Sequence, residues 1–170
     1  TFYSQQKSYN VQEQVAEMQQ NLRGAMYLMS KEIKMAGCNP TGQAQAGIVT
    51  AAADSISFTM DLLGKSTDDP PNGSTSNSNE NITYALADIS GDQAMEIIRT
   101  DNNSGIGPQV VAENIDSLNF VYLDSNGNVT TDLLRIRSVQ ITVVAKTDQA
   151  DRQKRLATHI KCRNLGMLQE

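Results

Sequence analysis

The first forty residues, TFYSQQKSYNVQEQVAEMQQNLRGAMYLMSKEIKMAGCNP (Thr1–Pro40), decide how the rest of the chain is read. Val11, Val15, Met18, Leu22, Ala25, Met29 and Ile33 recur at alternating steps of four and three, with Met26 and Ala36 beside them. That spacing draws a narrow apolar seam down one side of a helix. Gln12, Glu13, Gln19, Gln20, Arg23 and Lys34 fall on the other faces, which suit water. The pattern predicts a helix from about Gln5 to Ala36, with Gly37 at the closing position and Asn39-Pro40 forbidding continuation. At about 1.5 Å per residue it is roughly 48 Å long, more than the diameter of a small domain, so one end is expected to protrude. No capping signal precedes Val11, since neither Ser4 nor Ser8 is followed three residues later by Glu. A helix without a start is expected to continue a longer one.

Beyond the helix the period changes to two. GIVTA (47–51) and SISFTMD (55–61) read as two strands turning at Ala53-Asp54. NITYALAD (81–88) and QAMEIIRT (93–100) read as a hairpin. Leu118, Phe120 and Tyr122 mark a further, well-buried strand within VVAENIDSLNFVYLDSNGNV. LLRIRSVQITVVAKT (133–147) is the longest strand pattern, with a break of parity near Arg137-Ser138 that predicts a bulge or a change of face. After the charged turn DQADRQKR, LATHIKCRNLGM returns as the last strand. The stretch GKSTDDPPNGSTSNSNEN (64–81) has no apolar residue and is expected to be a mobile surface loop or partly disordered. The expected fold class is therefore α+β, one long N-terminal helix packed on antiparallel sheet of about seven strands, without a second helix for a parallel crossover.

Composition narrows the function. A chain of 170 residues holds one domain with a core of its own. A net charge of −5 argues against nucleic-acid binding, which needs clustered Lys and Arg. The low charged content, 19 %, is made up by Gln, Asn, Ser and Thr, a balance that leans toward an exported protein. No apolar run is long enough to span a bilayer. Two cysteines, Cys38 and Cys162, are too few for a zinc site and fit either one bridge or two thiols.

No catalytic constellation is expected. His159, the single histidine, lies in an alternating strand with no local partner and reads as a surface residue. The Asp68-Asp69 pair runs into Pro70-Pro71 and reads as solubilising charge. Asp124-Ser-Asn-Gly-Asn128 places oxygen side chains at alternate positions, but Gly127 is fourth and Arg135 twelfth, so it reads as a hairpin turn rather than a calcium loop. Glycosylation-type sequons at Asn72, Asn81, Asn102 and Asn128 mark surface loops or strand edges. No metal site and no cofactor is expected.

Several of these stretches, taken in order, resemble a known family. Glu17-Met-Gln-Gln-Asn-Leu-Arg23, Met29-Ser-Lys-Glu-Ile33, Met35-Ala-Gly37 and Pro40 are similar to the helix of PilW-like minor type IV pilins. Asn81-Ile-Thr-Tyr84, Val111–Leu118 running into Phe120–Asp124, Ile136-Arg-Ser-Val139 and Arg163-Asn-Leu-Gly166 agree as well. The chain also resembles the related J-type minor pseudopilins of type II secretion. The resemblance implies a non-enzymatic filament subunit of pilin-like fold. Residues 1–37 would be the C-terminal half of the spine helix and residues 38–170 the β-rich head. It implies an apolar anchor ahead of this chain in the inner membrane, a periplasmic head, and later incorporation into a filament. The implied partners are other minor pilins or pseudopilins and the major pilin. They would meet the helix at Val11, Val15, Met18 and Leu22. An oxidising periplasm favours a Cys38–Cys162 disulfide. The resemblance leaves a cap of a secretion pseudopilus as the alternative within the class; a rival of another class is an adhesive, ligand-binding head that uses the loops 64–81 and 101–109.

Overall fold

A computed structural model of the chain describes residues 2–64, 66, 69–146 and 153–166. The helix α1 spans Phe2–Ile33 and is followed by β1 (Ile48–Ala51), β2 (Ser55–Thr59), β3 (Asn81–Ala87), β4 (Glu96–Asp101), β5 (Gln109–Ala112), β6 (Ile115–Leu123), β7 (Ser138–Lys146) and β8 (Gln153–Lys161). The strands divide into two antiparallel sheets, ordered β1-β2-β3-β4-β5 and β6-β7-β8. This corrects the expected pilin-like arrangement, one long helix packed on a sheet of about seven strands. Among the described residues the fold is sheet-rich, with eight strands in two sheets, and α1 fills their core from Met18 onward, with Val15 packed at its margin.

The extra strand and the second sheet have one local origin. The sequence marks one strand within residues 110–129, at Leu118, Phe120 and Tyr122, whereas the structure places two there, because the chain changes sheet between them. Asn114 adopts a left-handed conformation, φ 57°, which Asn tolerates better than most side chains. β5 ends on one side of it as a neighbour of β4, and β6 begins on the other as a neighbour of β7. The Met95 carbonyl accepts the Ile115 N–H and the Asn114 carbonyl accepts the Lys146 N–H, so the crossing point is tied to both sheets.

The helix ends as its residues dictate. Met35 and Ala36 donate to carbonyls three residues back, a tightened last turn, and Gly37 follows with φ 78°. A β-carbon on Gly37 would stand 2.7 Å from Leu165 Cδ2 and 3.2 Å from the Asn164 carbonyl oxygen, so the close approach of the chain after β8 also requires glycine. The parity break near Arg137 is the start of β7. Residues 133–135 form a turn in which Asp132 accepts the Leu134 N–H through Oδ1, and Leu134 is 85 % exposed. In the expected charged turn, residues 148–152 lie outside the described residues, while 153–155 belong to β8.

One core joins the helix to both sheets. Leu22, Ala25, Met29 and Ile33 from α1 meet Ile56, Phe58, Ile82, Tyr84 and Ile97 of the first sheet and Phe120, Val139, Ile141 and Ile160 of the second. Burying each of the larger side chains contributes on the order of 1.5–3 kcal/mol.

The polar loop between β2 and β3 differs from its expectation. Its described residues are held down by buried carboxylates. Asp61 accepts the N–H groups of Asn72 and Gly73 and the Thr41 hydroxyl. Glu80, fully buried, accepts the N–H groups of Leu62 and Leu63 at 2.8 Å and both the N–H and side-chain amide of Asn77 at 3.0 Å. Asp101 accepts the Ser78 hydroxyl and the N–H groups of Asn79 and Asn103, and the Asn103 amide donates to the Thr75 and Asn77 carbonyls. A segment with no apolar residue is thus ordered by hydrogen bonds to charge, each stronger than its neutral counterpart. Asp68 of the acidic pair lies outside the described residues, and Asp69 accepts the Ser66 N–H.

Burial pushes the Asp101 carboxyl up, but the Ser78 hydroxyl, the two N–H groups and nearby Arg99 outweigh it and leave its pKa below the usual value. A depressed native pKa means the unfolded chain binds more protons, so this contribution is full above the unfolded value of about 3.9 and is lost as pH falls through the native pKa. Asp101→Asn is expected to be less stable at pH 7 and to show a shallower loss of stability below about pH 4. Urea melts at pH 7, 4 and 3 check this, and parallel profiles for the two proteins would refute it.

Candidate functional site

The structure separates the helix seam into two parts. Leu22 is 2 % and Met18 9 % exposed, both within the core; Val15 packs against that core, half-buried; Val11 is half-buried beyond it. The four residues expected to form one assembly face therefore do not act alike. Leu22 and Met18 hold the helix to its own sheets, and the outward surface begins at Val15 and runs toward the N-terminus through Val11 and Tyr9, which is 68 % exposed. The seam keeps its spacing across this border, because helical period reports which face is apolar and not which molecule covers it.

The border itself is polar. Gln14, Glu17, Met18 and Asn21 of α1 face Glu113, Asn114 and Lys146 across a recess of about 230 Å³. A second recess, about 360 Å³, runs from the same Lys146 past Asn114, Ile115 and Asp116 to residues 92–95. Both lie at the point where the chain changes sheet, so the place where α1 leaves the fold is also the place where the two sheets separate.

Farther along, α1 is pinned by a polar contact that no local pattern announces. Glu32 accepts a two-pronged donation from Arg99 of β4, Nε to Oε2 at 2.9 Å and Nη2 to Oε1 at 2.9 Å. The Tyr84 hydroxyl of β3 donates to the same carboxylate. Arg99 also donates to the Asn79 side chain at 2.9 Å, which links the helix to the ordered loop. Burial, together with the Glu32 carboxylate that its proton serves, raises the Tyr84 hydroxyl far above the ordinary phenol range. Tyr84 therefore stays protonated and acts as a donor.

The two cysteines are free thiols, Cys38 half-buried and Cys162 buried. The chain around them converges: the Asn164 side-chain amide donates to the Lys34 carbonyl at 3.3 Å, beside the Gly37–Leu165 approach. Burial raises the Cys38 thiol, with Asp61 adding to it, and pushes Cys162 up to about 11. At neutral pH both are thiols rather than thiolates, which suits buried packing and not nucleophilic chemistry.

His159 is exposed on β8, opposite Gln140. The Asp124–Asn128 stretch forms a tight turn in which Asp124 Oδ1 accepts the N–H groups of Asn126 and Asn128, and Gly127 has φ 82°. The nearest cation-like arrangement lies elsewhere. Asp88, Asp92 and Glu96 bring one oxygen each to within 4.8 Å of one another in the β3–β4 connection. Oxygen-only donors of this kind suit a hard divalent ion. Here each carboxylate already serves the turn: Asp88 accepts from Gly91 and Gln93, Asp92 from Ala94 and Ser90, Glu96 from Ile89 and Ser90. No local motif announces this trio, because only the β3–β4 connection brings the three carboxylates together.

Among the described residues no helix is long and apolar enough to cross a membrane. No protein-family model matches the chain and no curated protein matches it either, so the likeness to PilW-like pilins rests on the residues that carry it.

Proposed function

We propose that this chain is a structural, non-catalytic subunit of a type IV pilus system, a minor pilin acting at or near the filament tip, and that α1 is its assembly element. The observation that carries the reading is the unpacked first half of that helix. Between Gln5 and Glu17, wherever a side chain's burial is described, only Val11, Gln14 and Val15 are half-buried and the others are exposed. Yet the apolar seam continues through this region in register with the part that fills the core. A helix that keeps an apolar stripe where its own fold offers no cover is suited to packing against another helix. The resemblance along residues 17–40 points the same way. The two-sheet architecture adds no support of its own.

In this reading the partners are other minor pilins and the major pilin, met through the helix. The head sits on the periplasmic side of the inner membrane before incorporation into the filament. A pseudopilin serving a secretion pseudopilus uses the same contact with a different set of neighbours.

Tyr9→Ser with Val11→Ser removes the part of the outward apolar surface beyond Val15 and leaves Val15, Met18 and Leu22 in place. The double variant is expected to keep the stability of the parent within about 0.5 kcal/mol, as exposed substitutions do. Its complexes with sibling pilin heads should weaken at least tenfold, read by native mass spectrometry of equimolar mixtures. Complexes with pseudopilin heads alone would shift the reading to the secretion machine. Undiminished complexes, or none with any pilin or pseudopilin, would remove α1 as the assembly element.

A further inference from the structure

β8 is the outer strand of the three-stranded sheet; α1 packs against it, and among the described residues no strand pairs with its outer edge. It pairs with β7 over nine consecutive positions without a bulge, from Lys146↔Gln153 to Ser138↔Lys161. Two hydrogen bonds fix the direction of the backbone groups. Lys146 donates its N–H to Asn114, on the β6 side, and the Arg137 carbonyl accepts the Cys162 N–H, on the β8 side. Because the two groups of a strand residue face one neighbour and alternate along the chain, Val139, Ile141, Val143 and Ala145 serve β8. Their partners Ile160, Thr158, Leu156 and Lys154 are the bonded residues of β8. Gln153, Arg155, Ala157, His159 and Lys161 therefore aim N–H and C=O away from the sheet, and among the described residues nothing pairs with them. The opposite edge of this sheet is different: Phe120 donates its N–H to Ala53, and the Tyr122 carbonyl accepts from Thr130.

The same five residues have exposed side chains, whereas Leu156, Thr158 and Ile160 turn toward the protein. Residues 153–166 contain Lys154, Arg155, Lys161 and Arg163 and no Asp or Glu, in a chain whose net charge is −5. Arg155, His159 and Lys161 lie across from Val144, Gln140 and Ser138, so β7 offers no carboxylate to them. None of these basic side chains forms an ion pair among the described residues. Positive charge on an edge strand blocks pairing with a second copy, because two such edges would set like charges opposite one another. It does the reverse for an acidic strand.

We propose that the free edge of β8 takes up an extended acidic segment of a partner protein as an added strand. The outward N–H and C=O groups supply the backbone ladder. Arg155, His159 and Lys161 select Asp or Glu at alternate positions of the incoming segment. Nine residues at about 3.3 Å each give an edge roughly 30 Å long, enough for a complete strand. This surface is distinct from the first half of α1 and does not depend on the pilus reading.

The test uses the 170-residue chain and a synthetic nine-residue peptide alternating Glu with Val and Thr. On titration, the amides of Gln153, Arg155, Ala157, His159 and Lys161 should shift in ¹H–¹⁵N spectra, and their hydrogen exchange should slow at least tenfold at saturation. The same peptide with Lys in place of Glu, or with Pro at alternate positions, should bind at least tenfold more weakly. Ala157→Pro removes an outward donor at a position where an edge strand accepts proline, and should weaken binding at least tenfold. Should that variant fail to fold, Arg155→Glu with Lys161→Glu, both exposed, decides the question by the same loss. The proposal is overturned if the five amides do not respond or the Pro peptide binds as well as its parent. It is equally overturned if an oligothymidylate of equal charge binds β8 more tightly, or if the peptide-free chain protects these amides as its own concentration rises.

Discussion

Arg99→Ala is expected to lower the stability of the fold by about 3 kcal/mol, because it leaves the Glu32 carboxylate largely buried and without its cation. The Arg99 and Glu32 side chains are 11 % and 20 % exposed, too little for water to replace the two-pronged contact in full. The loss also takes the Arg99 donor from Asn79 Oδ1 and removes the only cationic partner of the Tyr84–Glu32 pair among the described residues. For a domain of this size the change corresponds to a fall in Tm of about 6–12 °C. Glu32→Gln is the milder variant, since its amide oxygen still accepts from Arg99 or Tyr84. Thermal and urea melts of both single variants and the double variant give the coupling between the two residues. A coupling of at least about 1 kcal/mol is expected for a contact of this kind. If Arg99→Ala costs less than about 1 kcal/mol, the helix is held to β3 and β4 by its apolar face alone.

Glu80→Ala is expected to be nearly as costly, about 3 kcal/mol, but its effect should be local first. Four donors converge on one fully buried carboxylate, two of them the backbone N–H groups of Leu62 and Leu63. Removing the acceptor leaves those groups inside the protein without partners, at about 1–3 kcal/mol each before water enters. The loop from Leu62 to Asn79 should then open without the sheets. Hydrogen exchange at Leu62, Leu63 and Asn77 should speed up by more than tenfold, and proteolytic nicking of the loop should precede global unfolding. Glu80→Gln should fall between, because its amide oxygen can serve Leu62 and Leu63 while its NH₂ meets the Asn77 donors. Unchanged exchange at all three amides in Glu80→Ala would show that the loop is held by Asp61 and Asp101 without Glu80.

Local rules carried the reading of the chain where interactions are local. The seam from Leu22 to Ile33, the closing Gly37, and the β3–β4 hairpin all follow from spacing and turn chemistry, and the structure contains them. Reading failed where two distant segments decide. Leu118, Phe120 and Tyr122 alternate and mark a strand, but the short β5 before them depends on pairing with β4 and on the left-handed turn at Asn114, which no local period records. The composition of residues 64–81 predicts a mobile or partly disordered loop, since an absence of apolar residues normally means no core to order it. Asp61, Glu80 and Asp101 order it instead, and their donors lie up to 23 positions away. The seam's spacing groups Val11, Val15, Met18 and Leu22 in one outward face. Only the arrangement of the two sheets shows that Leu22 and Met18 are buried in the core and that cover thins out at half-buried Val15.

By itself, then, the sequence determined where the chain is helical, where it alternates and where it turns, because these depend on residues within a few positions of one another. Tertiary structure alone decided that the strands form two sheets, that Glu32 meets Arg99 across 67 positions, and that among the described residues the basic outer edge of β8 is unpaired while the outer edge of β6 is hydrogen-bonded at Phe120 and Tyr122. The physical reason is the same in each case. A side chain's period records which face is apolar, but hydrogen-bond partners, burial and exposed edges belong to pairs of segments, and only packing brings those pairs together.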